Sequence, residues 1–264
     1  MTKLSACIVV YNNAQEALQA AASVLRCTQK YPLALYLIDN ASPDGAAQRL
    51  RAAIDGGELP VGENQTVTLI ESQKNVGFGS GHNLVLPRLE SDYHAILNPD
   101  ILLSADTLSG MADWLEAHPA AVMARPALVF PDGAPQQLPL QKCGALALVY
   151  RQMPRLRPLK PFHDRYVMEG ADLSAPAEIE FCTGSFSVLR TAVFQKIGGF
   201  DEKYFMYVED ADLTQKARRE GTVWLLPQFT AVHAWHRQPH KDSAHFRMQA
   251  KSMLRYFSKW GFRL

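Results

Sequence analysis

The residues best suited to chemistry lie between residues 198 and 213, where acidic side chains alternate with aromatic ones. Like-charged carboxylates that are partly desolvated have raised pKa values, which suits a general base. Glu209 and Asp210 are the candidates for that role. An acidic first helical turn, favoured by the helix dipole, explains Glu209 to Asp212 in part. It does not explain the preceding aromatic residues Phe205 and Tyr207.

A second acid, Asp100, follows an apolar run and stands behind Asn98. Because hard divalent cations prefer oxygen ligands, Asp100 could hold Mg²⁺ or Mn²⁺ against a diphosphate. Capping of a following helix is the alternative explanation. His233, with His236 and His240 after it, could add an imidazole ligand, although a lone histidine is more often structural.

A third group of polar residues could hold a nucleotide. Asp39 ends an apolar run and could accept a hydrogen bond from a ribose hydroxyl or a base, or it could cap the next helix. Gly77, Gly79 and Gly81 would let the backbone approach a ligand closely, or would simply form a turn. Their spacing is not that of a dinucleotide fingerprint, and no P-loop lysine follows.

The first 130 residues must position these groups, and they alternate between strand and helix patterns. Such alternation predicts an α/β fold with a mostly parallel sheet flanked by helices. Ligands bind at the carboxyl ends of the strands in such sheets, which is where the polar residues fall. The predicted strands are Leu4–Tyr11, Leu33–Asp39, Val67–Glu71 and His94–Asn98.

The second half of the chain loses this alternation. Residues 139–172 contain several prolines and many basic residues, and their weak periodicity predicts an irregular excursion. Regular structure is expected to resume near Ile179. A last helix is predicted from about Ser243 to Trp260.

Composition limits the class of protein. The net charge of +1 gives no reason to expect a nucleic-acid partner. The cysteines are scattered, which favours neither a zinc site nor a disulfide framework and fits a reducing cytosol. No apolar run is long enough for a membrane span, and the N-terminal run is too short for a signal peptide. We therefore expect a cytoplasmic protein that is soluble or peripherally attached.

Basic charge is nevertheless concentrated in two places. One set recurs every four residues in the C-terminal segment, and the other lies within the excursion. They could hold the protein on the inner face of the cytoplasmic membrane, or they could be solvated while Phe257 and Trp260 pack on the domain. The two sets are Arg247, Lys251, Arg255, Lys259 and Arg263, and Arg151, Arg155, Arg157, Lys160 and Arg165.

Taken together, these motifs resemble the inverting family 2 glycosyltransferases of GT-A fold, in particular the rhamnosyltransferase-like branch. They occur in the family's order over about residues 4–236. The matching stretches are Ile8-Val9-Val10-Tyr11-Asn12, Leu37-Ile38-Asp39-Asn40-Ala41-Ser42, Asn75-Val76-Gly77-Phe78-Gly79, Leu97-Asn98-Pro99-Asp100, Thr183-Gly184-Ser185-Phe186, and Gly198-Gly199-Phe200-Asp201-Glu202 through Glu209-Asp210-Ala211-Asp212-Leu213.

The resemblance implies a role for each matching residue. Asp210, next to Glu209, would be the base, and Asp100 would bind the metal, Mg²⁺ or Mn²⁺. His233 would be a further contact to the metal or the diphosphate. Asn98 replaces the first acid of the family's DxD motif, which leaves one carboxylate there. The implied donor-binding residues are Tyr11, Asn12, Asp39, Asn75, Gly77, Phe78 and Asn98.

The implied activity is inverting transfer of a sugar, with rhamnose the leading candidate, from a dTDP- or UDP-sugar. The acceptor would be a glycan or lipid-linked saccharide in cell-surface polysaccharide synthesis. Residues 1–236 would form the GT-A domain, with a nucleotide-sugar half at 1–130 and an acceptor and catalytic half at 131–236. Residues 237–264 would form a basic helical extension.

Two other functions stay open at this point. A nucleotidyltransferase also uses an α/β sheet and a metal-bound nucleotide, but Tyr11-Asn12-Asn13 offers no basic phosphate-binding loop. A carbohydrate-binding or scaffold protein could keep the fold without catalysis. The presence of Asp39, Asp100 and Asp210 argues against that function.

Overall fold

The computed structural model describes residues 3–234 and 243–262. Its strands are β1 (Leu4–Val10), β2 (Leu33–Asp39), β3 (Gln65–Glu71), β4 (Tyr93–Leu97), β5 (Ile101–Leu102), β6 (Ala121–Val129), β7 (Ala177–Glu178), β8 (Phe186–Arg190) and β9 (Thr222–His233). Its α-helices are α1 (Ala14–Cys27), α2 (Ala46–Asp55), α3 (Phe78–Asn83), α4 (Thr107–Ala117), α5 (Ala145–Gln152), α6 (Lys160–Val167), α7 (Thr191–Lys196), α8 (Glu209–Ala217) and α9 (Ser243–Trp260). His236, His240 and Arg263 lie outside the described residues.

The first half of the sheet is parallel, in the order β3-β2-β1-β4. The four predicted strands are all present. In the register of this sheet Val10 lies beside Asp39, and Asp39 lies beside Glu71. The carboxyl ends of these strands are therefore level with one another, and the loops that follow them meet at one edge.

The second half of the sheet is mixed. β8 runs antiparallel to β4 and to β6, β9 runs parallel to β6, and β5 pairs antiparallel with β9. The predicted α/β fold with a central sheet, flanking helices and a C-terminal helix is confirmed. The short β5–β9 pairing places Ile101 opposite His233. Two segments about 130 positions apart in sequence thereby meet beside the end of β4.

Both faces of the sheet are covered, which explains why β1 is buried along its whole length. Ile8 and Val10 pack on one face with α1, α2 and α4. Cys7 and Val9 pack on the other face with residues of α7 and α8. Since successive side chains of a strand point to opposite faces, a strand buried on both sides needs no polar alternation. The core on the first face contains residues from both halves of the chain.

Residues 139–172 are not irregular as predicted, because they contain α5 and α6, joined by a turn that includes a short 3₁₀ segment. Pro158 and Pro161 stand in first turns, where proline's missing N–H costs nothing and its φ is already suitable. Ala147 and Tyr166 are buried in a third apolar cluster shared with residues of α9. We call residues 145–167 the α5–α6 hairpin.

The C-terminal helix packs on the segment that leads into α8. Tyr256 and Phe257 are buried, and Asp212, fully buried in the first turn of α8, receives hydrogen bonds from Lys259 and Trp260. The Lys259 ammonium lies 2.8 Å from an Asp212 carboxylate oxygen, and Trp260 Nε1 lies 2.7 Å from Oδ1. Of the two alternatives for this helix, packing on the domain is observed for Phe257 and Trp260.

Two of the basic residues that recur every four positions in the C-terminal segment, Arg255 and Lys259, make contacts within the protein. Lys259 also lies 3.1 Å from Asp201, and the Arg255 guanidinium lies 3.9 Å from the same carboxylate. Arg255 also lies over the ring of Tyr204. These two cations therefore stabilise the segment before α8.

Lys259→Met tests this arrangement. Methionine keeps the apolar stem but leaves the buried Asp212 carboxylate with less compensation, so we expect a loss of about 2 kcal/mol in the free energy of unfolding. Urea titration would measure it. Lys251→Met, at an exposed position of the same helix, is the matched control and should change stability little. Equal stability of the two variants would contradict the role of Lys259.

Candidate active site

One corner of the site joins the end of β4 to the end of β9. Asp100 lies in the turn between β4 and β5, and His233 is the last residue of β9. The β5–β9 pairing brings His233 Nε2 to 3.4 Å from Asp100 Oδ1. The Asp100 and His233 side chains are only 12% and 7% exposed. The two residues predicted as metal contacts are therefore neighbours.

The Gln136 side chain orients the His233 ring through two contacts. Its side-chain amide donates a hydrogen bond to the His233 carbonyl at 2.7 Å, so its oxygen faces His233 Nδ1 at 2.9 Å. With this amide orientation His233 Nδ1 carries a proton and donates, so Nε2, which lies on the side of Asp100, is the ring nitrogen available to a ligand. Such a partner fixes the tautomer of a ligating histidine. Sequence analysis missed Gln136, which no motif marks.

The donor set at this corner fits a divalent cation held jointly with a substrate. It offers one carboxylate and one imidazole, and residues 3–234 and 243–262 contain no group of three or more His, Cys, Asp or Glu side chains arranged to hold a metal. Mg²⁺ in nucleotide sites typically keeps waters and takes one or two carboxylates together with substrate phosphates. Two protein ligands are therefore sufficient for a metal that arrives with a diphosphate.

The candidate base, Asp210, is placed by backbone N–H groups. Its Oδ2 accepts from Gly184 at 3.0 Å, and its Oδ1 accepts from Ala211 at 2.8 Å. Burial raises the pKa of Asp210, while these N–H groups lower it in part. Glu209 is also buried, and burial together with the Asp210 charge raises the pKa of Glu209 to about 8. Glu209 therefore carries a proton at neutral pH, whereas the two N–H groups favour the charged form of Asp210.

The backbone before these acids has an unusual conformation. Tyr207 and Val208 have φ values of 71° and 63°, in the left-handed region that side-chain-bearing residues rarely adopt. Ser252 of α9 donates to the Met206 carbonyl at 2.8 Å, just before this turn. The turn aims Glu209 and Asp210 together into the cleft, and α9 supports it from behind.

Two glycines let the glycine-rich loop and the base segment touch. A Cβ on Gly77, whose φ is +86°, would lie 2.1 Å from the Phe205 carbonyl oxygen. A Cβ on Gly184 would lie 2.9 Å from the Phe78 ring and 3.3 Å from Asp210 Cβ. Phe78 N–H also donates to the Phe205 carbonyl at 3.3 Å. The loop predicted to bind the donor is thus in direct contact with the segment that carries the base.

The predicted nucleoside residues meet at the level ends of β1 and β2. Asp39 Oδ2 accepts from the Ser42 backbone, and the Ser42 hydroxyl accepts from the Asn12 backbone at 2.9 Å. Asp39 is buried, and its Oδ1 has no hydrogen-bond partner within the described parts of the chain. A buried carboxylate oxygen of this kind fits a ligand's hydroxyl or N–H donor. Tyr11, beside it, is half-exposed.

Asn75 has a structural contact in addition to its predicted role. Its side-chain oxygen accepts from Asn40 at 3.0 Å and from the Gly77 backbone at 2.9 Å. Asn40 in turn accepts from the Val76 backbone at 3.0 Å. Asn40 therefore fixes the start of the glycine-rich loop against β2. The sequence analysis named this residue in a matching stretch but predicted no role for it.

An open cleft of about 890 Å³ brings together His233, the segment that carries the candidate base, and the α5–α6 hairpin. Its lining includes Asn98 and His233 from the ends of β4 and β9, Tyr150 and His163 from the α5–α6 hairpin, and Asp210. The hairpin residues were missed because the sequence pattern there was read as irregular. Tyr11, Asp39 and Asn75 do not line this cleft but surround the adjoining edge of the sheet.

The model of the family described as glycosyl transferase family 2 matches residues 5–198. The chain belongs to this family. The match covers Asp39, Gly77 and Asp100 and ends before Asp210 and His233. The roles of all five residues remain predictions.

Curated relatives of this family-2 glycosyltransferase include two rhamnosyltransferases. N-acetylglucosaminyl-diphospho-decaprenol L-rhamnosyltransferase of Mycobacterium tuberculosis is 27% identical over 237 residues, which cover 83% of this chain and 71% of the relative. Rhamnosyltransferase WbbL of Escherichia coli is 27% identical over 199 residues, covering 69% of this chain and 70% of the relative. The predicted likeness to the rhamnosyltransferase branch is confirmed.

Solved structures show the same fold at lower identity. The mannosyltransferase PcManGT from Pyrobaculum calidifontis, in complex with GDP-Man and Mn²⁺, gives a TM-score of 0.64 at 19% identity, covering 97% of this chain and 63% of that chain. GalNAc-T7, with UDP, GalNAc and Mn²⁺, gives a TM-score of 0.69 at 13% identity, covering 98% and 48%. The glycosyltransferase described here thus spans less than two thirds of either solved chain.

The raised pKa of Glu209 predicts a specific pH dependence of stability. The ordinary value is 4.5 and the folded value is about 8, so between them the folded state binds more protons than the unfolded state. Stability then falls as pH rises through this window. Glutamine does not titrate, so the stability of Glu209→Gln relative to wild type should increase steadily from about pH 4.5 to about pH 8.

Urea unfolding of both proteins across this pH range would measure the effect. Glu63→Gln, at an exposed position, is the matched control and should show a difference from wild type that barely changes with pH. A Glu209→Gln difference that is independent of pH, or that grows on acidification, would contradict a protonated Glu209.

Proposed function

We propose that this family-2 glycosyltransferase transfers a sugar, with inversion, from a dTDP- or UDP-sugar to a hydroxyl of a glycan or lipid-linked acceptor. The observation that carries the proposal is the placement of Asp210. It lines a cleft that runs from the Asp100–His233 corner to the α5–α6 hairpin. A base so placed shares one cleft with His233 of the proposed metal site and with the hairpin, where an acceptor could lie.

In this proposal Asp210 accepts the proton of the acceptor hydroxyl as its oxygen attacks the anomeric carbon. The attack comes from the face opposite the leaving diphosphate, so a single displacement inverts the configuration. The Gly184 and Ala211 N–H groups hold the carboxylate in place and in its charged form. Its raised pKa makes it a better proton acceptor than an exposed aspartate. Glu209, being protonated, keeps the second negative charge out of the site.

Asp100 and His233 would hold a divalent metal, Mg²⁺ or Mn²⁺, with the His233 ring oriented by the Gln136 contact. When bound, such a cation neutralises charge on the leaving diphosphate. The two neighbouring solved structures contain Mn²⁺, which supports this assignment. Asp39, with its unpartnered Oδ1, would receive a donor hydrogen from the nucleoside, beside Tyr11, Asn12 and Asn75.

For the acceptor we infer a lipid-linked saccharide met at the inner face of the cytoplasmic membrane, with rhamnose the leading candidate for the donor sugar. The name of the mycobacterial relative specifies a diphospho-decaprenol acceptor and L-rhamnose. Residues 1–130 would supply the nucleotide-sugar half and residues 131–236 the acceptor and catalytic half. In the described ranges, no helix is both long and apolar enough to cross a bilayer.

Asp210→Asn should abolish transfer and leave nucleotide binding intact. The amide keeps the side-chain shape but is not a proton acceptor, so we expect kcat to fall by about 10²-fold or more. Nucleotide affinity is measured by calorimetry and transfer by release of the nucleoside diphosphate. Asp55→Asn, an exposed acid on α2, is the matched control. Near-normal turnover by a folded Asp210→Asn protein would refute the assignment of the base.

A thermal-stability panel of UDP, dTDP and GDP, with and without Mg²⁺ or Mn²⁺, tests the donor and the metal together. We expect UDP or dTDP to raise the melting temperature in the presence of metal, because Asp100 and the diphosphate share the cation. The shift should disappear in chelator and in Asp100→Ala, whereas Asp55→Ala should retain it. A response to GDP alone would overturn the donor assignment, and full donor turnover in excess chelator would overturn the metal.

A further inference from the structure

The outer surface of the α5–α6 hairpin exposes apolar side chains. Val149, Met153 and Leu156 are 41%, 54% and 38% exposed. Met153 N–H donates to the Val149 carbonyl, and Leu156 N–H donates to the Met153 carbonyl, so the three residues follow one another at successive turns of the backbone. Large apolar side chains exposed together usually mark a contact surface rather than a packing defect.

Basic residues surround these apolar side chains. Residues 145–167 contain five Arg or Lys residues and a single acid, Asp164, although the whole chain has a net charge of only +1. Asp164 is paired with Lys160 at 2.7 Å. The remaining cations of the hairpin, Arg151, Arg155, Arg157 and Arg165, are exposed. This surface therefore combines apolar groups with a local excess of positive charge.

The hairpin also forms the wall of the cleft. Tyr150, Arg151 and His163 line the cleft, while Met153, Arg155 and Arg157 do not. One side of the hairpin thus faces the proposed acceptor site and the other faces solvent. The other basic set is less available, because Arg255 and Lys259 on α9 are paired with acids.

We propose that the solvent side of the α5–α6 hairpin docks on an anionic lipid surface and so turns the mouth of the cleft towards the membrane. Val149, Met153 and Leu156 enter the interfacial region, and Arg155 and Arg157 contact lipid phosphates. The complementarity of this cationic surface to anionic headgroups favours a membrane over a neutral protein partner. The proposal rests on the proposed function for its lipid-linked acceptor, but docking itself requires no turnover.

Co-sedimentation with vesicles tests the surface directly. Vesicles of phosphatidylcholine and phosphatidylglycerol in equal parts are compared with pure phosphatidylcholine at low salt. Wild type should bind the anionic vesicles more tightly, and added salt should weaken the binding. Replacing both cations in Arg155→Ala/Arg157→Ala should reduce the partition coefficient about 25-fold, or about fivefold for each cation. Met153→Ser should reduce it severalfold.

Matched controls lie in the first half of the chain, outside the hairpin. Arg26→Ala removes an exposed cation at the end of α1, and Val61→Ser removes an apolar side chain that is 47% exposed. Both should bind vesicles as wild type does. The proposal would be overturned if the hairpin variants bound vesicles as wild type does, or if the controls lost binding equally. It would also be overturned if wild type showed no preference for anionic vesicles.

Donor turnover in solution, measured on the same variants, separates this proposal from the proposed function. The hairpin variants should retain metal-dependent hydrolysis of the donor, since the substituted residues lie outside the cleft. Vesicle binding without any donor turnover by wild type would remove the enzymatic proposal alone. Turnover with unchanged vesicle binding in the hairpin variants would remove the docking surface alone.

Discussion

The site depends on the hydrogen bonds that backbone N–H groups donate to one buried carboxylate, that of Asp210. Asp210 is buried, and burial raises its pKa. Two backbone N–H groups offset that penalty, and one of them belongs to Gly184, where a side chain would collide with Phe78 and Asp210 itself. The loop around Gly184 can therefore approach the acid only because it carries no Cβ. The Thr183-Gly184-Ser185 motif and the acidic cluster are therefore in direct contact, although they are well separated in sequence.

The segments next to Asp210 contain several features that disfavour the folded state. Tyr207 and Val208 adopt left-handed backbone conformations, Glu209 is held protonated, and Asp212 is fully buried as a second charge. Each of these features is unfavourable in isolation. The C-terminal helix compensates for them, since Lys259 and Trp260 bond to Asp212 and Ser252 bonds to the turn. A helix more than 30 positions away in sequence thus helps to orient the candidate base.

The sequence predicted those parts of the fold whose signals are local. Buried parallel strands appear as continuous apolar runs, so β1 and β2 were placed to within a residue, and the helix α9 was placed at both ends. The α5–α6 hairpin was misjudged, because its prolines were taken as breakers although they occupy first helical turns. The contacts of Gln136 with His233, and of Lys259 with Asp212, connect residues far apart in the chain. No local pattern could have indicated them.

The spacing of the basic residues in α9 is visible in the sequence, but the contacts that these residues make in the fold are not. The cations of α9 recur every four residues, which predicts a stripe on a helix but not what lies opposite it. Arg255 and Lys259 face buried or half-buried acids and act in folding, whereas Arg155 and Arg157, which have no comparable periodicity, remain exposed beside apolar side chains. The difference is set by the acids at 201 and 212, which the fold places under α9 and not under the hairpin. Basic residues contribute to a docking surface only where the fold leaves their charge uncompensated, and that property belongs to the tertiary structure rather than to the spacing.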